Sequence, residues 1–279
     1  MKMIVFGTRP EIVKLYPVIE QMKDAYLVWS GQHDQLARQM LEDFKIKPNE
    51  SLNVMTKNQS LTSLTIRLHR ELSKVYLRLK PELVIVQGDT TSAMVAALEA
   101  FYHKIPVSHV EAGLRTDDIY QPFPEEVNRR IITQIATYNF TPTVRASYRT
   151  RMETLGLNDV VEVGQTGIDT LLGFEKKIKV KKQKKILITL HRRENYDKFD
   201  EIMNKVETFL LEHLDWRAIM PVHPNPNVSR VIYGLNLGTQ IKLVKPLGYF
   251  EMIREMKESS LIVTDSGGIQ EEAAALKIP

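Results

Sequence analysis

Eight charged side chains crowd into residues 109–130, HVEAGLRTDDIYQPFPEEVNRR. They are Glu111, Arg115, Asp117, Asp118, Glu125, Glu126, Arg129 and Arg130, with His109 at the edge of the stretch. Carboxylates beside guanidinium groups suit proton transfer next to an anionic leaving group: the carboxylate moves the proton while the cation holds the departing charge. The stretch starts where an apolar run, IPVSHV, stops, and it ends where a helical pattern, IITQIATY, begins. Strand-to-helix connections usually take only about 2–6 residues, so one this long is either functional or mobile. Gly113, Pro122 and Pro124 point to a shaped loop. We read it as the floor of an active site. Glu125 and Glu126 also fit the plainer role of first-turn acids in the helix that follows.

Other motifs suit anion chemistry. DSGGIQEE (265–272) places Ser266, Gly267 and Gly268 between an apolar strand and a helix. Backbone N–H groups there can approach a phosphate, and the helix start adds about half a positive charge. HRREN (191–195) puts His191 between a strand and two arginines, which suits a diphosphate contact or a proton donor to a leaving phosphate. Asp89 lies in GDTTS (88–92), Arg9 in TRPE (8–11), and Lys14 one helical turn further on. The spacing alone favours a solvated role for Lys14. No G-x-G-x-x-G and no Walker A lysine is present, so neither a dinucleotide site nor a P-loop is supported. The seven histidines show no metal-ligand spacing, and the chain has no cysteine, which excludes disulfides and thiolate zinc sites.

Apolar strands alternate with helical patterns along the whole chain, implying parallel sheets with right-handed crossovers, twice over. Residues 61–80 show the helical signal in its longest form, with apolar residues at 61, 64, 68, 72, 75 and 79, closed by Pro81. Expected strands include 3–7, 26–30, 51–55, 82–87, 106–110, 138–142 and 160–164, then 185–190, 216–222, 240–244 and 260–264. TRPE, GDTTS, EAGLR, HRREN, HPNPN and DSGG each follow a strand directly. Ligands in open α/β sheets bind outside the carboxyl ends of the strands, so two sheets with facing loop edges would gather all six motifs around one cleft. The fold class is therefore α/β: two Rossmann-like doubly wound domains facing across a cleft, over 1–172 and 173–279.

The composition, 43% hydrophobic and 26% charged, is globular. No apolar run approaches the roughly 20 residues that span a bilayer, so no membrane association is expected. The absence of cysteine and of a signal peptide fits the cytoplasm. The net charge of +4 is local in origin. KKIKVKKQKK (176–185) holds seven lysines; taking them from the 38 basic residues leaves 31 against 34 acidic ones, a net of −3. We read the segment as a solvated junction, and nothing in it points to nucleic acid. Three N-x-S/T sites (Asn58, Asn139, Asn227) are read as chance matches.

Seven motifs in order, VFGTRPE with Lys14, VQGDTTS, HVEAGLRT, PFPEEVNR, LHRREN, PVHPNPNV and TDSGGIQEEA, together resemble the non-hydrolysing UDP-N-acetylglucosamine 2-epimerases over the whole chain. The resemblance implies a glycosyltransferase-B-like fold and interconversion of UDP-GlcNAc and UDP-ManNAc, without metal or nicotinamide, for polysaccharide biosynthesis. The C2 hydrogen is not next to a carbonyl, so simple deprotonation is too costly. Elimination of UDP across C1–C2 gives a glycal, and re-addition completes the reaction in a closed site that retains the intermediate. By resemblance Asp89, Glu111 and Glu125 carry the proton transfers, while Arg129 and His191 support departure of the diphosphate. Arg9, Ser266, Gly267 and Gly268 hold the UDP part, Glu272 accepts from its ribose, and Lys14, Arg115 and His223 bind substrate. Which carboxylate is base and which is acid stays open. The resemblance further implies a homodimer. Family members run on through a T-E-R-P-E motif and a final helix, so the second domain is expected to be incomplete. A UDP-sugar-binding remnant without turnover and a glycosyltransferase on the same fold are the alternatives.

Overall fold

The computed structural model describes residues 1–31, 34–54, 56, 59–223, 225–235 and 237–279, without the side chains at 34–36, 193 and 194. The chain divides into two compact units, Met1–Thr170 and Leu171–Pro279.

The first unit is a seven-stranded sheet of parallel neighbours in the order β3-β2-β1-β4-β5-β6-β7. Its strands are β1 (Lys2–Phe6), β2 (Tyr26–Trp29), β3 (Glu50–Ser51), β4 (Leu83–Gln87), β5 (Val107–Val110), β6 (Tyr138–Thr141) and β7 (Asp159–Glu162). Between them run α1 (Arg9–Gln21), α2 (Asp34–Asp43), α3 (Leu61–Leu79), α4 (Thr91–Tyr102), α5 (Glu125–Ile135) and α6 (Val144–Thr154), and α7 (Thr166–Glu175) leads out of the unit. The strand expected over 51–55 is reduced to Glu50–Ser51, and Met55 lies outside the described residues. Strand β4 reads as an unbroken apolar run because it is covered on both faces; Val84, Ile85 and Val86 are buried. Helix α3 buries Leu64, Leu68, Leu72 and Val75 along one stripe, whereas Leu61 at its start is exposed. The Ser60 side chain caps the helix, accepting from Ser63 N at 3.1 Å. Each buried leucine contributes about 1.5–3 kcal/mol, so this stripe holds the helix to the core shared with β1, β4 and α4.

The second unit is a four-stranded sheet of parallel neighbours, β10-β9-β8-β11. It comprises β8 (Lys185–Thr189), α8 (Phe199–Glu212), β9 (Arg217–Pro221), α9 (Pro226–Gly234), β10 (Ile241–Val244), α10 (Tyr249–Glu258), β11 (Leu261–Thr264) and α11 (Gly267–Ala275). Two further elements complete the unit. Residues 226–234 form α9, which apolar periodicity does not mark: Asn225 caps it by accepting from Asn227 N, and Pro226 takes the first position, where no N–H is needed. HRREN runs into a 3₁₀ turn, Arg193–Lys198, ahead of α8. Of the N-x-S/T sites, Asn58 lies outside the described residues, Asn139 is buried in β6, and Asn227 sits in α9.

Both sheets reverse their strand order at one place: between β1 and β4 in the first, and between β8 and β11 in the second. The crevice at such a reversal is where ligands bind in doubly wound sheets. The loop after β1 leads into Arg9, the first residue of α1, that after β4 carries Asp89, and those after β8 and β11 carry His191 and Ser266.

Candidate active site

In the first unit, three loops at the carboxyl edge bring acids and cations together. Glu111 directly follows β5 with a left-handed backbone, φ 69°. A non-glycine residue so placed costs roughly 1–3 kcal/mol and persists where surrounding contacts over-determine it. Those contacts converge on its carboxylate. Lys14 Nζ lies 2.6 and 2.7 Å from the two oxygens. Gln165 Nε2 donates to Oε1 at 2.6 Å, and Gln87 Nε2 donates to Oε2 at 2.5 Å. Asp89 pairs with Arg129 Nη2, and Asn128 Nδ2 donates to the Asp89 carbonyl at 2.9 Å. Burial pushes the Asp89 carboxyl above its ordinary range and Glu111 adds to the push, against the pull of Arg129 and Lys14. The side chain of Glu125, the first residue of α5, makes no hydrogen bond or ion pair among the described residues. Arg129 Nε is buried, also without a partner among the described residues.

Two fully buried groups set the loops that carry these side chains. Glu11 accepts from Gly7 N at 3.0 Å and Thr8 N at 2.6 Å, the N3 half of a capping box, and from Thr90 Oγ1 at 2.9 Å. It thereby joins the loop after β1 to the loop after β4. His109 Nε2 donates to the Gly88 carbonyl at 2.7 Å, fixing the residue before Asp89. Burial drives the His109 imidazole down to about 4, so the ring is neutral near pH 7.

The loop between β5 and α5 is shaped, as the glycine and prolines implied. Tyr120 N donates to Asp118 Oδ1 and Gln121 N to the Asp118 carbonyl. Thr116 N donates to Glu126 Oε2 at 3.1 Å, and Glu126, fully buried, also takes Arg130 at 2.8 Å. Arg115 is not brought into the cluster. Its side chain is 1% exposed and spends its donors on Glu153, Thr133 Oγ1 and the Leu114 carbonyl. That geometry ties the loop to α6. Arg9, at the first position of α1, is partly buried and makes no ion pair among the described residues.

In the second unit, Asp265 is the organiser, and the sequence reading passed over it. Its carboxylate accepts from His191 N at 3.0 Å and Arg192 N at 2.8 Å, and it faces His191 Nδ1 at 3.2 Å. The His191 ring stacks on His223, with centroids 5.4 Å apart. Helix α11 starts at Gly267, two residues earlier than expected, so both glycines lie in its first turn and neither has a left-handed backbone. A Cβ on Gly268 would meet nothing within 4 Å, so the helix start is open beside it. Glu272 lies one turn along the same helix.

The sequence reading also missed Glu11, Gln87 and Gln165. The T-x-x-E spacing of Thr8 and Glu11 was a readable capping signal. Nothing local marks Gln165, which lies 54 residues from its partner.

With the geometry in hand, known proteins bear on it. The family model described as UDP-N-acetylglucosamine 2-epimerase matches residues 19–279. The chain belongs to that family. A UDP-N-acetylglucosamine 2-epimerase from Campylobacter jejuni is 41% identical, over 99% of this chain and 79% of that protein. Among solved structures, the Neisseria meningitidis UDP-GlcNAc 2-epimerase bound to UDP-GlcNAc superposes with a TM-score of 0.90 at 36% identity, covering 100% of this chain and 81% of that one. The S. aureus MnaA–UDP co-structure gives 0.88 at 36% identity, covering 100% of this chain and 78% of that one. The fold is the α/β, glycosyltransferase-B-like fold of the family, with parallel sheets in both units. No helix among the described residues is long and apolar enough to cross a membrane.

Proposed function

We propose that the chain interconverts UDP-N-acetylglucosamine and UDP-N-acetylmannosamine by elimination and re-addition of UDP. The observation that carries this reading is the switch-point cluster of the first unit, where Asp89 and Glu111 stand beside Lys14 and Arg129 in a chain of this family. In the forward direction a carboxylate takes the C2 proton and the C1–O bond to the β-phosphate breaks, its electron pair leaving with UDP. The glycal then gains a proton at C2 on the opposite face as a β-phosphate oxygen of UDP returns to C1. Asp89, Glu111 and Glu125 carry these proton transfers. Arg129, with its spare buried Nε, and His191 stabilise the departing diphosphate. Arg9, Lys14, Ser266, Gly267, Gly268 and His223 bind the nucleotide sugar, and Glu272 accepts from its ribose. The first unit thus carries the carboxylates, and the second carries the phosphate-binding helix start and Glu272. No metal or redox cofactor enters these steps. We place the chain in the cytoplasm as a homodimer; light scattering of the purified chain tests the latter.

Proton NMR of the purified chain with UDP-GlcNAc in deuterium oxide tests the reaction. UDP-ManNAc carrying deuterium at C2 is the expected product, and Asp89→Asn or Glu111→Gln should slow exchange by a hundred- to ten-thousand-fold, roughly the share of general acid–base catalysis. Binding of UDP without any exchange would make the chain a binding protein instead. Turnover that needs a sugar acceptor would make it a transferase.

A further inference from the structure

We propose that Gln87 and Gln165 are positioning residues for Glu111. They pin its carboxylate in one plane while Lys14 is free to turn toward the substrate. The inference rests on the function proposed above. An ionised carboxylate offers about four in-plane lone-pair sites. In the first unit Lys14 Nζ bridges the two oxygens at 2.6 and 2.7 Å, Gln165 holds Oε1 at 2.6 Å, and Gln87 holds Oε2 at 2.5 Å. All the sites are therefore taken, by donors from separate elements. Gln87 is the last residue of β4 and 2% exposed, Gln165 directly precedes α7, and Lys14 lies in α1.

The donors differ in kind. Lys14 is a cation on a long stem and is attracted to a diphosphate. A carboxamide neither gives up nor takes a proton near neutral pH, so it can orient a carboxylate without joining the proton transfer. Once Lys14 turns to the substrate, the fork between the two oxygens opens for the C2 proton. The two amides then become the contacts that keep Glu111 aimed. Glutamate has three rotatable side-chain bonds, and a misplacement of about 1 Å can cost roughly a hundredfold in rate.

Gln165→Met and Gln87→Met keep side-chain length and remove the donor. The expected result for each is a kcat about tenfold lower or worse with KM within about twofold, since a transition-state alignment is lost and not ground-state binding. The primary isotope effect measured with C2-deuterated substrate should rise, because proton abstraction becomes more nearly rate-limiting. Gln165→Asn, which keeps the amide, should recover part of the loss. A raised KM at unchanged kcat, or an unmoved isotope effect, would overturn the proposal. Gln165 is half-buried, so its variants carry the test if the fully buried Gln87 variant fails to fold. A second measurement does not need turnover: the side-chain amide ¹H–¹⁵N signals of Gln87 and Gln165 should shift in Glu111→Ala. Signals that stay in place refute the contact itself. A wild-type chain that makes no epimer, yet whose amide signals move, would sink the functional reading while supporting the contact.

Discussion

His109 illustrates how a single buried side chain places the chemistry. It touches no charge partner, yet its Nε2–H holds the Gly88 carbonyl, and the next residue is Asp89. Burial puts its pKa at about 4, below the ordinary 6.5. Between those values the unfolded chain binds a proton that the folded chain refuses. Stability from this residue is therefore complete above pH 6.5 and is lost as pH falls toward 4, by up to about 3 kcal/mol. Urea unfolding across that window should show the loss, and His109→Gln should flatten it. Arg115 makes the complementary point. Its type and loop suggested a substrate contact, but it is buried against Glu153 and Thr133. Arg115→Met should lower stability by about 2 kcal/mol, less than the 3–5 of a fully buried pair because Glu153 is partly solvated. Thermal unfolding measures this; an unchanged melting temperature with a raised KM would restore the substrate role.

At the scale of elements, the loop from Gly113 to Pro124 depends on a close approach to α6. Gly113 has φ 86°, and a Cβ there would lie 2.4 Å from the Ala146 carbonyl oxygen and 2.5 Å from Thr150 Oγ1. Neither the backbone conformation nor the space admits a side chain. Gly113→Ala should cost about 3 kcal/mol or more, combining left-handed strain with overpacking, and a fall in the urea midpoint should report it. The strands and most helices were legible from apolar periodicity, because burying one stripe or one run is a local pattern. Helix α9 was not: it is short, starts at a proline, and follows a run of Asn and Pro that reads equally well as a turn. The start of α11 was misread for a related reason. Its two glycines suggested a turn, whereas they form the first turn of the helix.

Across the whole molecule, two cores form in two compact units, one built on β1, β4, α3 and α4 and the other on β8, β9 and α8. The lysine-rich segment lies in the second unit and ends on the first residue of β8. Its last residue is not solvated: Lys185 is buried between Glu255 and Glu258, at 2.6 Å from each. Most of the remainder is exposed and outside regular structure. Trypsin under native conditions should therefore cut first within 179–182, ahead of the backbone bonds that Gln183 and Lys184 make to Glu258 and Arg217, and mass spectrometry of the fragments identifies the site. First cleavage inside either core would contradict this picture.

The sequence by itself determined the alternation of strands and helices and the position of each polar motif just after a strand, since both follow from local periodicity and chain order. It also determined the family, because seven motifs in order are a one-dimensional signal. Only the tertiary structure decided which charges meet. Glu111 finds Gln165 at a separation of 54 residues and Lys14 at 97, and Asp265 finds His191 at 74. Strand order at each sheet's reversal point sets the Lys14 and His191 pairings, whereas Gln165 reaches Glu111 from the loop after the edge strand β7. The same packing buries the Arg115 side chain against Glu153 and Thr133, and Glu126 against Arg130 and the Thr116 N–H.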